Sequence, residues 1–120
     1  MKKIIFFSLL ILISCTNKNK VDIKLDQETV MTGETITARL FVKHNHSFLP
    51  AFNILTDYDT ARLPIDENDN QCGVYKARFR SIGTKVISGF VIFTNEQNKT
   101  DTLNFQFQFN VEELPTPPGQ

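Results

Sequence analysis

The spacing of apolar and polar residues changes once along this 120-residue chain. From Ile4 to Ile13 apolar residues follow one another with only Ser8 between them, and from Val21 onward they alternate with polar ones at period two. The first stretch, preceded by Lys2 and Lys3, has the layout of an export signal, and it is shorter than the roughly 20 apolar residues a membrane-crossing helix needs. The second pattern predicts strands. Val21, Ile23 and Leu25 alternate with Asp22, Lys24 and Asp26. After the turn Thr32-Gly33-Glu34, residues Ile36, Ala38, Leu40 and Val42 alternate with Thr35, Thr37, Arg39 and Lys43, Phe41 being the exception.

Residues 44–50 read as a loop and Ala51 to Tyr58 as a strand of mixed pattern. Asp59 to Asn70 contains Pro64 and an Asp/Asn-rich run, which predicts a loop with one short edge strand near Arg62 to Ile65. From Val74 to Arg80, Tyr75, Ala77 and Phe79 share one face, and Lys76, Arg78 and Arg80 the other. Lys85 to Thr94 is almost continuously apolar, which predicts a central strand covered on both faces, with a bulge or bend at Ser88-Gly89. The last strand alternates most cleanly: Leu103, Phe105, Phe107, Phe109 and Val111 against Thr102, Asn104, Gln106, Gln108 and Asn110. Pro115, Pro117 and Pro118 end it as an extended tail. Beyond the leader nothing recurs at helical spacing over three turns, so the expected class is all-β, a sandwich or barrel. Eleven phenylalanines, nine of them after Cys15, supply much of its core, with no tryptophan to help.

The segment Leu12-Ile13-Ser14-Cys15 resembles the lipobox of bacterial lipoproteins, in which an aliphatic residue three positions back and a small residue before the cysteine direct cleavage and lipidation. The resemblance implies a signal peptide over 1–14, a lipid on Cys15 and a polar spacer over 15–20. Several acyl chains, at about 0.8 kcal/mol per buried methylene, would hold such a protein on a membrane. Without Lys2 and Lys3, 11 basic side chains stand against 13 acidic ones, a formal charge of −2 that offers nothing to nucleic acid. The remainder has room for one domain. If Cys15 carries lipid, Cys72 has no partner in the chain and is expected to be a buried free thiol.

A second resemblance rests on Gly73-Val74-Tyr75, Ser81-Ile82-Gly83-Thr84-Lys85, Ser88-Gly89-Phe90-Val91 and Phe105-Gln106-Phe107 leading to Asn110-Val111. Their order is similar to that in the immunoglobulin-like domains of the GldM/PorM gliding-motility and secretion family of the Bacteroidetes. It implies a single immunoglobulin-like antiparallel β-sandwich over 21–112, followed by a Pro-rich tail over 113–120. A lipobox in place of an inner-membrane helix, and one domain in place of several, separate this chain from that family's build. Fold and style of use carry over, and motor function does not.

Candidate sites follow from residue types. His44 and His46 would point to one face if they lay on a strand, as a metal pair requires, but no Cys, Asp or Glu lies within nine residues, and exposed loop histidines are the expectation. Asp66-Glu67-Asn68-Asp69-Asn70 resembles the calcium segment of cadherins, so Asp66, Asn68 and Asp69, with Asp57 and Asp59, form a candidate set of hard oxygen ligands; the same residues also make turns unaided. Lys76, Arg78 and Arg80 form a cationic stripe, read as a solvated face opposite cross-strand acids. Asp59-Thr60-Ala61 and Asp101-Thr102-Leu103 resemble the motif at which Bacteroidetes attach O-glycans, making Thr60 and Thr102 candidate acceptors. No catalytic residue is expected: no nucleophile-base set, zinc motif, phosphate loop or paired cysteines is present.

The expectation is a non-enzymatic module, lipid-anchored in the cell envelope, that binds or scaffolds another envelope protein through a sheet edge or the polar face of the last strand. Calcium- or carbohydrate-dependent adhesion is the alternative, and a small hydrolase the third. Surface-displayed Bacteroidetes lipoproteins resemble one another in acidic residues after the lipidated cysteine. Here Lys18 and Lys20 follow it, and Thr16 is not the aspartate of inner-membrane retention, which together point to the periplasmic leaflet of the outer membrane.

Overall fold

The computed structural model describes residues 20–114; the expected signal, Cys15 and the chain from residue 115 lie outside the described residues. Nine strands form: β1 (Val21–Leu25), β2 (Thr29–Met31), β3 (Thr35–Val42), β4 (Ala51–Leu55), β5 (Thr60–Arg62), β6 (Ile65–Asp66), β7 (Cys72–Arg78), β8 (Gly83–Thr94) and β9 (Thr100–Glu112). They make two sheets, ordered β1-β3-β7-β6 and β2-β9-β8-β4-β5. The described residues are all-β, and their paired sheets are compatible with the expected immunoglobulin-like sandwich.

Period-two alternation decides which side of each strand is inside. Ile36, Ala38, Leu40 and Val42 on β3 are buried, and so are Phe105, Phe107, Phe109 and Val111 on β9. Phe52 and Val91 join them from the middle of the five-stranded sheet. Between the sheets, the Tyr75 ring meets Phe107 edge-on at 5.4 Å and Phe79 tilts against Phe109 at 5.4 Å. Pairs of this kind add roughly 0.5–1.5 kcal/mol beyond the area they bury.

Several expectations are corrected. One pairing is parallel, β2 beside β9, with Thr29 opposite Asn110 and Met31 opposite Glu112. Between β1 and β2 the chain crosses from one sheet to the other, and Asn110 N–H donates to the Glu28 carbonyl at 2.9 Å. The third expected strand stops at Leu55, because Thr56 and Asp59 close a turn: Thr56 N–H and Oγ1 both donate to the Asp59 carbonyl, at 2.7 and 2.8 Å. In place of one edge strand near 62–65 there are two, β5 and β6. Leu63, which is buried, and Pro64, which is exposed, carry the chain between the sheets, the first donating to Phe52 and the second accepting from Val74.

The largest correction concerns β8. Its register with β9 is unbroken from Gly83 opposite Val111 to Thr94 opposite Thr100, so no bulge interrupts it at Ser88-Gly89. Gly89 serves packing instead: a Cβ there would come within 2.6 Å of the Phe105 Cζ. Nor is the strand covered on both faces. Val91 and Phe93 are buried, while Val86 is 50% and Ile92 41% exposed on the opposite side.

Candidate functional site

The uncovered side of β8 belongs to a face whose composition sets it apart. On β8, Thr84, Val86, Ser88, Phe90 and Ile92 lie opposite Asn110, Gln108, Gln106, Asn104 and Thr102 of β9. Ala51 and Asn53 of β4 stand opposite Ile92 and Phe90, and the outermost pairs are Leu55 with Thr60 and Asn53 with Arg62. This side of the five-stranded sheet is thus a row of apolar groups flanked by a row of amides and hydroxyls. Charge enters only at its margins, at Arg62 and Glu112. Leu55 is 55% exposed. The outer face of the other sheet is charged instead, with Asp22 and Lys24 on β1, Arg39 on β3, and Lys76 and Arg78 on β7.

An exposed apolar side chain that becomes half-covered by a partner gains about 1 kcal/mol. Leu55, Val86, Phe90 and Ile92 together offer the apolar centre, and the amides of β9 the polar rim, of a protein-protein contact. Sequence reading assigned the polar row correctly but buried its apolar neighbours. The signal was present: β8 is apolar at both parities, whereas β9 is apolar at one.

The acidic loop forms a different constellation. Asp66, Asp69 and Cys72 bring one ligand-type atom each within 4.8 Å of one another. Arg39 reaches into them, its Nη1 2.9 Å from Asp66 Oδ2, 3.7 Å from Asp69 Oδ2 and 3.9 Å from Cys72 Sγ. The guanidinium thus supplies the positive charge these carboxylates face, and the hydrogen bonds to Asp66 and Cys72 hold its pKa above the ordinary value. Burial pushes the Cys72 thiol up, only partly offset by the Arg39 hydrogen bond. Among the other candidate calcium ligands, Asn68 donates its backbone N–H to Asp66 Oδ1 at 3.1 Å, while Asp57 and Asp59 lie in the β4–β5 turn outside the cluster. Beside Arg39 opens a cleft of about 520 Å³, lined also by Ile54, Leu63, Tyr75 and Lys76. It has room for an apolar side chain of a partner.

His44 is a further correction, for it is buried. Its Nδ1–H donates to the Val42 carbonyl at 2.7 Å and its Nε2 lies 2.7 Å from the Gln71 side-chain amide, so both nitrogens are engaged. His46 remains exposed, its ring 4.5 Å from that of His44. The cationic stripe shortens to Lys76 and Arg78, since β7 ends before Arg80. Its cross-strand neighbours are Thr37 and Thr35 in place of the expected acids, and Arg78 Nε donates to Thr35 Oγ1 at 3.0 Å. Thr60 and Thr102 are both exposed, and each donates its backbone N–H to the carboxylate of the preceding aspartate, at 2.8 and 2.9 Å.

No family model matches the chain, and no curated protein is similar to it. Among solved structures it is similar to the crystal structure of the PmoD soluble domain from Methylocystis sp. ATCC 49242 (Rockwell), at 17% identity and a TM-score of 0.45, over 78% of this chain and 91% of that one. Likeness at that level is silent on function, which rests on the side chains described above.

Proposed function

We propose that this chain is a membrane-anchored, non-enzymatic β-sandwich lipoprotein that binds or scaffolds another protein of the cell envelope. The observation that carries the binding is the uncharged outer face of β4, β8 and β9, where Leu55, Val86 and Ile92 stand half-exposed beside an amide row. A solvated face of a lone domain is normally studded with charge, as the opposite sheet is; a flat neutral face with an apolar centre suits a partner that removes it from water. The anchoring half of the reading is supported by Leu12-Ile13-Ser14-Cys15 and the apolar run before it, and the style of use by the likeness to GldM/PorM immunoglobulin-like domains. Lys18 and Lys20 after Cys15 support a tether on the periplasmic leaflet of the outer membrane.

Co-purification from the native envelope tests the binding face. Val86→Glu with Ile92→Glu is expected to lose the bound envelope protein, whereas Lys76→Glu with Arg78→Glu on the other sheet keeps it. Retention by the first variant would overturn the assignment of the face. Protease added to intact cells is expected to spare the domain, and digestion without outer-membrane permeabilisation would place it outside.

A further inference from the structure

Among the described residues, the longest uncovered strand edge is that of β9. Of its 13 residues, those from Thr100 to Val111 pair with β8, yet β2 covers the opposite edge only from Asn110 to Glu112. Backbone hydrogen bonds fix which groups point outward. Asn110 N–H donates to the Glu28 carbonyl, away from β8, and in a regular strand successive residues turn their N–H and C=O to alternate sides. Thr102, Asn104, Gln106 and Gln108 share the direction of Asn110. Thr102 agrees, since its N–H donates to Asp101 Oδ1 at 2.9 Å. Among the described residues, no strand lies beside the N–H and C=O groups of Asn104, Gln106 and Gln108, or beside the Thr102 carbonyl.

Exposed edges usually carry a guard: shortness, a charge, a proline or a bulge. The other edges do. β5 has 3 residues and β6 has 2, and β1 carries Asp22 and Lys24 on its 5. On β9 a charge stands only at the end of the open stretch, at Asp101, whose carboxylate accepts from the Thr102 N–H; from Thr102 to Val111 there is no charged residue and no proline, and the register with β8 is unbroken.

We infer that this edge pairs antiparallel with the same edge of a second copy of the chain, about a twofold axis at Phe105, joining the two five-stranded sheets into one. In that register Asn104 faces Gln106 of the second copy and Thr102 faces its Gln108. Every outward-pointing residue then meets another: each Asn104–Gln106 pair can exchange two hydrogen bonds, while Thr102, whose N–H is held by Asp101, offers its carbonyl to Gln108. A slip of one residue would set outward groups against inward ones. The pairing runs from Asp101 to Phe109, the stretch that β2 leaves open. Amide and hydroxyl side chains both donate and accept, so two identical rows of them match where two identical charged rows would repel. The contact is isologous and closes as a dimer without propagating into a fibre. It uses the edge of the sheet and leaves the face proposed for the envelope partner open.

Three variants test it in the full chain, solubilised in a non-ionic detergent and examined by sedimentation velocity across a concentration series. Gln106→Pro removes an N–H that points away from β8, so the monomer keeps its ladder while the edge is blocked. Asn104→Lys with Gln106→Lys sets like charges opposite each other in the dimer, and Asn104→Lys with Gln106→Glu sets opposite ones. The wild type and the Lys/Glu variant are expected to reach the dimer mass as concentration rises. The proline and Lys/Lys variants are expected to stay monomeric with wild-type far-ultraviolet circular dichroism. A wild type that is monomeric throughout overturns the inference, as does a dimer that survives in the proline and Lys/Lys variants. Amide-exchange protection of Asn104 and Gln106 that arises only with another protein would transfer the edge to that partner and overturn self-pairing. Asn104 and Gln106 border the face proposed for the envelope partner, so self-pairing is read from the sedimenting mass of the isolated protein and partner binding from co-purification with the Val86→Glu, Ile92→Glu variant, and the two proposals fail separately.

Discussion

Phe107→Ala is the most informative single perturbation of the core. The ring sits at the middle of β9, 7% exposed, edge-on to Tyr75 at 5.4 Å and stacked between Phe105 and Phe109 at 6.4 and 6.5 Å. Truncation removes its transfer free energy, opens a cavity that the rigid strands fill only in part, and breaks the edge-on pair. Phe→Ala at such a site costs about 3–5 kcal/mol. A domain of this size has roughly 5–15 kcal/mol to lose, and each kcal/mol moves its melting temperature by about 4–8 °C. A fall of roughly 12–40 °C is therefore expected in a thermal melt followed by circular dichroism. Gln106→Ala, one residue away on the exposed face, is the internal control and should stay within about 0.5 kcal/mol of wild type. Equal melting temperatures for the wild type and Phe107→Ala would refute the assignment of the inner face of β9.

Other outcomes follow from the remaining groups. Burial raises the pKa values of Cys72 and Tyr75, so the folded state holds both protons more tightly than the unfolded chain. Stability from these groups is complete below the ordinary thiol value of 9.0 and falls as pH climbs through it and past the phenol value of 10.0. Urea midpoints across that window should decline, and less steeply in Cys72→Ala. Calcium is expected to leave the melting temperature unchanged, because Arg39 already sits among Asp66, Asp69 and Cys72; a calcium-dependent rise would favour the adhesion reading. Cys15→Ser should take up no radiolabelled palmitate, since the thioether to diacylglycerol needs the thiol.

What could be read from the chain depended on how far apart the cooperating residues lie. Alternation along β3 and β9 is local, and Ile36 to Val42 and Leu103 to Val111 announced their inner faces directly. Strand β2 could not be seen this way: of its 3 residues only Val30 is buried, and its place is set by backbone bonds to β9, some 80 positions on. The apolar run of β8 was ambiguous in kind, because a face apolar for covering within the domain and one apolar for a partner look alike in sequence. His44 bonds to Gln71, and Arg39 to Asp66, Asp69 and Cys72, groups supplied by the end of β6, the β6–β7 connection and the start of β7. Each local segment read as loop or alternating strand, and only the register of β3 with β7 brings them together.

The central claim is that the neutral face of β4, β8 and β9 meets an envelope protein. A photoreactive amino acid at Ser88, in the middle of that face, reports on it directly in living cells. On illumination it should yield one discrete crosslinked species containing a second envelope protein, while the same probe at Lys76 on the charged sheet yields none. Crosslinking at Lys76 with silence at Ser88 would contradict the account.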